Sequence, residues 1–285
     1  MIKVDGALLK EYRKKKGLTQ VQLAEGICEQ ATVSNIENKN MSPGINILSA
    51  LCKKLNVEIS DILVETEEDK IRKKINEIQS LNSVSKYQES YKILQTIDQE
   101  KVSNSDLLNQ ILFYQGLLDH LYAKKPDAAL FYFNQVLEQT TETDIHHLQA
   151  AANVAMIYLS KGELDFAKVY VERTLKILSE TDFDNLMVCI VYYDIATYYR
   201  KIEDYDKAIQ LCEKGIEYNK KHKSTYALEY LLYEIASCHK QLGEDDYLER
   251  YMDAKKIARF NGNDYAVKVI ENDLKKRGCE ISVCF

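Results

Sequence analysis

Residues 30–39, QATVSNIENK, carry two faces suited to different work. Val33 and Ile36 recur at helical spacing and predict a buried stripe. Gln30, Ala31, Thr32 and Asn35 lie opposite. Short polar side chains on such a face suit base edges in a DNA major groove. Gln and Asn can pair bidentately with adenine, and Thr and Ala can meet a thymine methyl. Ser34, Lys39 and Gln20, the last at the start of the preceding helix, are better placed for backbone phosphate. Catalytic chemistry is not indicated. The chain has no P-loop, G-x-S-x-G, HExxH or zinc-ligand spacing. His146 and His147 are adjacent on a predicted helix, so their rings point about 100° apart. His120, His222 and His239 are scattered. The expectation is a protein that is not an enzyme and needs no cofactor or metal.

A second group of residues recurs about every 40 positions. The segments 153–167, 194–208 and 234–248 align, each with an aliphatic residue, an alanine, a turn and a second helix. Ala155, Ala196 and Ala236 recur in the first helices, and Ala129, Ala167 and Ala208 in the second. Small residues at those places let two helices approach closely. This pattern resembles the tetratricopeptide repeat, degenerate and lengthened, over about 67–277. The resemblance implies a right-handed superhelix of about five hairpins, closed by a helix over 264–277. It also implies that each first helix lines a concave groove. Asn153, Asp194 and Glu234 then open the three aligned groove positions. Gln149, Met156, Tyr193, Thr197 and Arg200 are their neighbours, as are Tyr233, Ser237 and Lys240. Phe113, Tyr114, Leu117 and His120 extend the groove to an earlier repeat. Amides in such a lining can satisfy both the N–H and the C=O of an extended peptide. Arg200, Lys201 or Lys240 could hold a terminal carboxylate, and Asp194 or Glu234 an amine.

The elements that position these groups are helical. Of 285 residues only two are proline and ten glycine, against 46% hydrophobic residues, so few turns and a sizeable core are expected. An all-α chain fits; a sandwich, a barrel or a disordered chain does not. Five short helices are expected in the head. The first spans 3–16, the second follows an N-cap at Thr19, and the fourth starts at Ser42-Pro43. The proposed divisions are a head over 1–64, a polar junction ETEEDK over 65–70, and a repeat body over 71–285. Residues 1–57 carry nine Lys/Arg against five acids; the rest carry 29 against 39. A basic head on an acidic body suggests a nucleic-acid end and a separate body. Seven cysteines, none in a C-x-x-C pair, are expected as free thiols in a reducing compartment. No apolar run reaches the roughly 18 residues of a membrane span, and the start has no secretory pattern.

The segment RKKKGLTQVQLAEGICEQATVSNIENKN resembles the helix-turn-helix of phage-repressor/Cro type, over residues 3–64. That resemblance implies that Arg13 and Glu37 pair inside the domain. Cys28 stands where a glycine is usual, and so does the region of Asn38-Lys39, where Asn tolerates the left-handed conformation. Head and body together resemble the Rgg/Rap/NprR/PlcR/PrgX group of peptide-responsive regulators, nearest to PlcR-type quorum-sensing transcription factors. The resemblance implies a cytoplasmic homodimer that binds a double-stranded DNA operator with two half-sites. Its ligand would be a short, re-imported signalling peptide. Asn153 and Asp194 fall close to where such receptors grip the peptide backbone with asparagines. Asp194 departs from that pattern, because a carboxylate donates a hydrogen bond only when protonated. Two other readings stay open: a repressor whose body binds a protein antirepressor, and a groove filled by the chain's own tail, GCEISVCF.

Overall fold

The computed structural model describes residues 3–275. The chain divides into two compact units, one up to Ile71 and one from Arg72 onward. The tail reading, Cys279 and Cys284 lie outside the described residues.

In the first unit, β1 (Lys3–Val4) pairs antiparallel with β2 (Leu63–Val64). Between them lie α1 (Gly6–Lys15), α2 (Gln20–Ala24), α3 (Gln30–Lys39), α4 (Ile45–Leu55) and a 3-10 turn at Ile59–Ile62. The strand pair corrects the expected first helix. Val4 is buried as a strand residue, and Asp5 caps a helix that begins only at Gly6. Thr19 caps α2 as expected and forms a capping box with Gln22. The fourth helix starts later than Ser42-Pro43, after Gly44. Leu9, Leu23, Val33, Ile36, Leu48, Leu51 and Ile62 close the core.

The turns explain the missing glycines. Between α2 and α3 the positive φ, 76°, falls on Gly26, so Cys28 needs none. After α3 it falls on Asn40, at 52°, one residue beyond Asn38-Lys39. The Asn40 side chain also accepts from the backbone N–H of Gly6 at 2.9 Å. A Cβ at Gly6 would lie 1.9 Å from the carbonyl oxygen of Ile36, so only glycine lets α1 start against the end of α3.

The second unit is built of hairpins. They are α5 (Glu67–Ser83) with α6 (Tyr87–Leu94), α7 (Ser105–Leu121) with α8 (Pro126–Gln139), and α9 (Ile145–Lys161) with α10 (Leu164–Glu180). Then come α11 (Val188–Lys201) with α12 (Tyr205–Lys221), α13 (Leu228–Leu242) with α14 (Tyr247–Phe260), and the final α15 (Asp264–Lys275). First helices stack on one another, α7 on α9, α9 on α11 and α11 on α13. All six repeating alanines are buried, which brings the helix backbones together. Among the described residues no disulfide forms and no helix is long and apolar enough to cross a membrane.

Candidate functional site

The head presents α3. Val33 and Ile36 are buried, Gln30, Ala31 and Lys39 are exposed, and Thr32, Ser34 and Asn35 are half-buried. The Ser34 hydroxyl accepts from the Asn38 amide at 3.2 Å. Behind the helix Arg13 donates to both Glu37 oxygens, at 2.5 and 2.9 Å, and to the carbonyl of Leu18 at 2.6 Å. Burial alone would raise the Glu37 pKa. Hydrogen bonds from Arg13 and Gln20, with the Arg13 charge, bring it below the usual carboxylate value. Gln20 joins this network. Its amide donates to Glu37 at 2.9 Å and accepts from Gln30 at 2.7 Å, so its side chain is engaged in steering Gln30.

The body contains a half-open cavity of about 800 Å³. Gln149, Asn153 and Met156 of α9 and Tyr193 and Asp194 of α11 line it, as do Phe113, Tyr114, Leu117 and His120 of α7. The other six expected groove residues, Thr197, Arg200, Tyr233, Glu234, Ser237 and Lys240, do not. Arg200 donates to the fully buried Glu234 at 2.5 Å. Thr197 donates to the Tyr193 carbonyl at 3.0 Å. Tyr233 donates to Asp273 at 2.6 Å, and the Ser237 hydroxyl lies 3.0 Å from that of Tyr251. The Lys240 ammonium sits 5.8 Å from the centre of the Tyr251 ring. Tyr233, Ser237 and Lys240 are taken up by α14 and α15, which pack against α13, whereas Thr197 is bonded within α11 and Arg200 and Glu234 pair between α11 and α13.

Sequence reasoning missed the opposite wall. Asn82 and Ser85, from the end of α5 and the turn after it, line the cavity with Tyr87, Tyr226 and Tyr230. The Ser85 hydroxyl meets the Tyr230 hydroxyl at 2.5 Å, 145 residues away in sequence, and Asn263 donates to the same phenol at 2.9 Å. Only the excess of tyrosine, 20 in all, hinted at this wall.

The cavity is aromatic but not apolar. Asn82 (Oδ1 and Nδ2), Tyr114 (OH) and Gln149 (Oε1) are buried in its walls without a protein partner. The Asn153 amide donates to the Gln149 carbonyl at 2.9 Å. Burial, with the nearby Lys124 charge, lowers the His120 pKa to about 4, which keeps the ring neutral. Burial, with the Glu234 charge, raises Asp194 from 3.8 to about 8. The walls thus offer ring faces and amides to an organic ligand, with Lys86, Glu89 and Lys124 also in the lining. Among the described residues only His239, Glu244 and Asp246 bring three ligand-type atoms together, at the C-terminal end of α13, outside the cavity lining and with both carboxylates exposed.

Residues 9–62 match the helix-turn-helix family model, and residues 191–222 the tetratricopeptide repeat model. No curated protein matches the chain in sequence. Among solved structures the chain is similar to Bacillus thuringiensis PlcR in complex with the peptide PapR7 and DNA. The TM-score is 0.66 and the identity 23%, over 95% of this chain and 98% of that one. It is also similar to ComR from S. thermophilus in complex with DNA and its signalling peptide ComS (TM-score 0.55, 13% identity, 94% and 97% covered). The Streptococcus dysgalactiae SHP pheromone receptor Rgg2 is a third (TM-score 0.51, 14% identity, 95% and 99% covered). The chain therefore has the all-helical fold of the peptide-responsive regulators PlcR, ComR and Rgg2, a helix-turn-helix head followed by a tetratricopeptide-type body.

Proposed function

We propose that the protein is a cytoplasmic transcription regulator whose DNA affinity is set by a short, re-imported signalling peptide bound in the cavity of its repeat body. The observation that carries this reading is the cavity: aromatic, and lined by buried amide and hydroxyl groups that lack partners. A buried polar atom without a partner is costly, and an extended peptide supplies both donors and acceptors. A concave cavity of this size suits a linear segment better than the folded surface of an antirepressor protein, which needs a broad exposed face.

In this reading Gln30, Ala31, Thr32 and Asn35 meet base edges, and Ser34 and Lys39 meet phosphate. Gln20 holds Gln30 in place. The protein acts as a homodimer, with two copies of α3 on half-sites one helical turn apart, about 34–36 Å. Peptide binding changes the curvature or dimer geometry of the body and so couples to DNA affinity. Coupling of this kind is reciprocal, so operator DNA alters peptide affinity by the same factor.

The test is fluorescence polarisation of labelled DNA from the gene's own upstream region at fixed salt, against an unrelated duplex. Synthetic C-terminal fragments of any small secreted peptide encoded beside the gene are added. The expected result is specific binding that a fragment shifts in either direction. Specific binding that no fragment moves would sink the peptide part and leave a DNA reader governed by a protein.

A further inference from the structure

The turn that joins α13 to α14 gathers three side chains that neither DNA reading nor peptide binding uses. One ligand-type atom from each of His239, Glu244 and Asp246 lies within 4.8 Å of the other two. The turn itself sets their positions. His239 stands in the last turn of α13, and its carbonyl accepts from the backbone N–H of Glu244 at 3.1 Å. Gly243, at a φ of 77°, ends the helix there and brings Glu244 back beside the imidazole. Asp246 directly precedes α14 but makes no capping bond with its side chain. One of its oxygens accepts from Arg250 at 2.8 Å, and the other lies 3.2 Å from Nδ1 of His239. A Glu244 oxygen approaches the same nitrogen more closely still.

Nδ1 is the informative atom. The His239 side chain is 12% exposed, and its Nδ1 is buried without a hydrogen-bond partner. Two carboxylate oxygens therefore converge on an imidazole nitrogen that neither engages in hydrogen-bond geometry. A lone pair facing two anions is repelled, so a cation belongs among the three atoms.

We propose that this turn binds a divalent transition cation of the zinc class. Its ligands are Nδ1 of His239 and one oxygen each from Glu244 and Asp246, with water completing the shell. One imidazole and two carboxylates suit zinc, whereas Mg2+ and Ca2+ take oxygen ligands. Arg250 holds the second oxygen of Asp246 and so orients the first, the work of an outer-shell partner. The bound ion ties the end of α13 to the start of α14 and steadies the last hairpin. The spacing, His-x4-Glu-x-Asp, runs from a helix end through a turn, so no helical period marks it. The site does not depend on the peptide reading.

The probe is Co2+, titrated into the full-length, chelator-stripped protein, followed by absorption and then displaced by Zn2+. The expected result is one ion per chain, with the visible bands of a nitrogen–oxygen site and no sulfur charge-transfer band, which would mark the cysteines instead. Glu244→Gln, at an exposed position, is expected to weaken binding by more than about tenfold, the loss that even an outer-shell change causes. His239→Gln is expected to do the same. Zn2+ should raise the Tm of the wild-type protein and leave that of Glu244→Gln unmoved. Absence of cobalt bands, bands of sulfur character, or an affinity unchanged in both variants overturns the site. A Tm that responds to acid and not to zinc does so too, since a proton then holds the two carboxylates to His239.

Discussion

The head and the body treat buried polarity in opposite ways. In the head every buried charge is answered by another: Arg13 fills both oxygens of Glu37, and Gln20 links that pair to Gln30. In the body the cavity wall leaves Asn82, Tyr114 and Gln149 with unpaired atoms. A satisfied network makes a rigid surface that is complete before its ligand arrives. An unsatisfied one is completed by its ligand, so binding can change the energy of the wall itself. That difference is what a sensor joined to a reader requires.

The largest expected effect breaks the head's network. Arg13→Ala leaves Glu37 buried without its cation and is expected to cost about 3–5 kcal/mol in the head's unfolding free energy, read by chemical denaturation. A cost under about 1 kcal/mol would show the pair to be screened by water and the contrast overstated. The pH dependence has a definite sign. The folded pKa of Glu37 lies below its unfolded value, so its contribution is present above that unfolded value and is lost as pH falls through the folded one. Asp194 behaves oppositely: its contribution is full below about 3.8 and is lost as pH rises towards about 8. Asp194→Asn is therefore expected to flatten the body's stability across that window and leave the head's acid sensitivity unchanged.

Next in size are the base-facing residues. Gln30→Ala or Asn35→Ala is expected to cost about 1–3 kcal/mol of specific DNA affinity and to relax preference at one base pair, in polarisation against single-base operator variants. Lys39→Ala should weaken binding to all sequences alike and flatten the salt dependence. An equal loss on specific and unrelated DNA for Gln30→Ala would remove it from base reading.

The smallest effect is the sharpest on the body side. Tyr114→Phe removes a buried hydroxyl that has no partner. The free protein should be unchanged or more stable, within about 1 kcal/mol, while peptide affinity falls by about 0.5–1.5 kcal/mol. A clear loss of stability would mean that the hydroxyl is satisfied without ligand, and that the body is no less complete than the head.

Local signals foretold local structure. Thr19 with Gln22 marked a helix start, and Val33 with Ile36 marked a buried stripe, because capping and helical period act within a few residues. The Arg13–Glu37 pair was legible only through the resemblance of its segment to a known motif. The cavity was half legible. Its α7, α9 and α11 wall followed from counting repeats, yet the same count carried Glu234, Ser237 and Lys240 into the groove. Counting cannot show that α14 and α15 turn back and cover α13. Nor could it find Ser85 against Tyr230, a contact across 145 residues that leaves no periodic trace.

Sequence alone determined that this chain is helical, that its basic head carries a polar face at 30–39, and that its body repeats about every 40 residues. Each of these follows from composition or from spacing along one helix. The tertiary structure decided which repeated positions remain open to a ligand and in which direction the acidity of Asp194 is shifted. Both depend on burial and on groups brought together from distant segments, and a pKa is a property of that assembled environment rather than of a residue type.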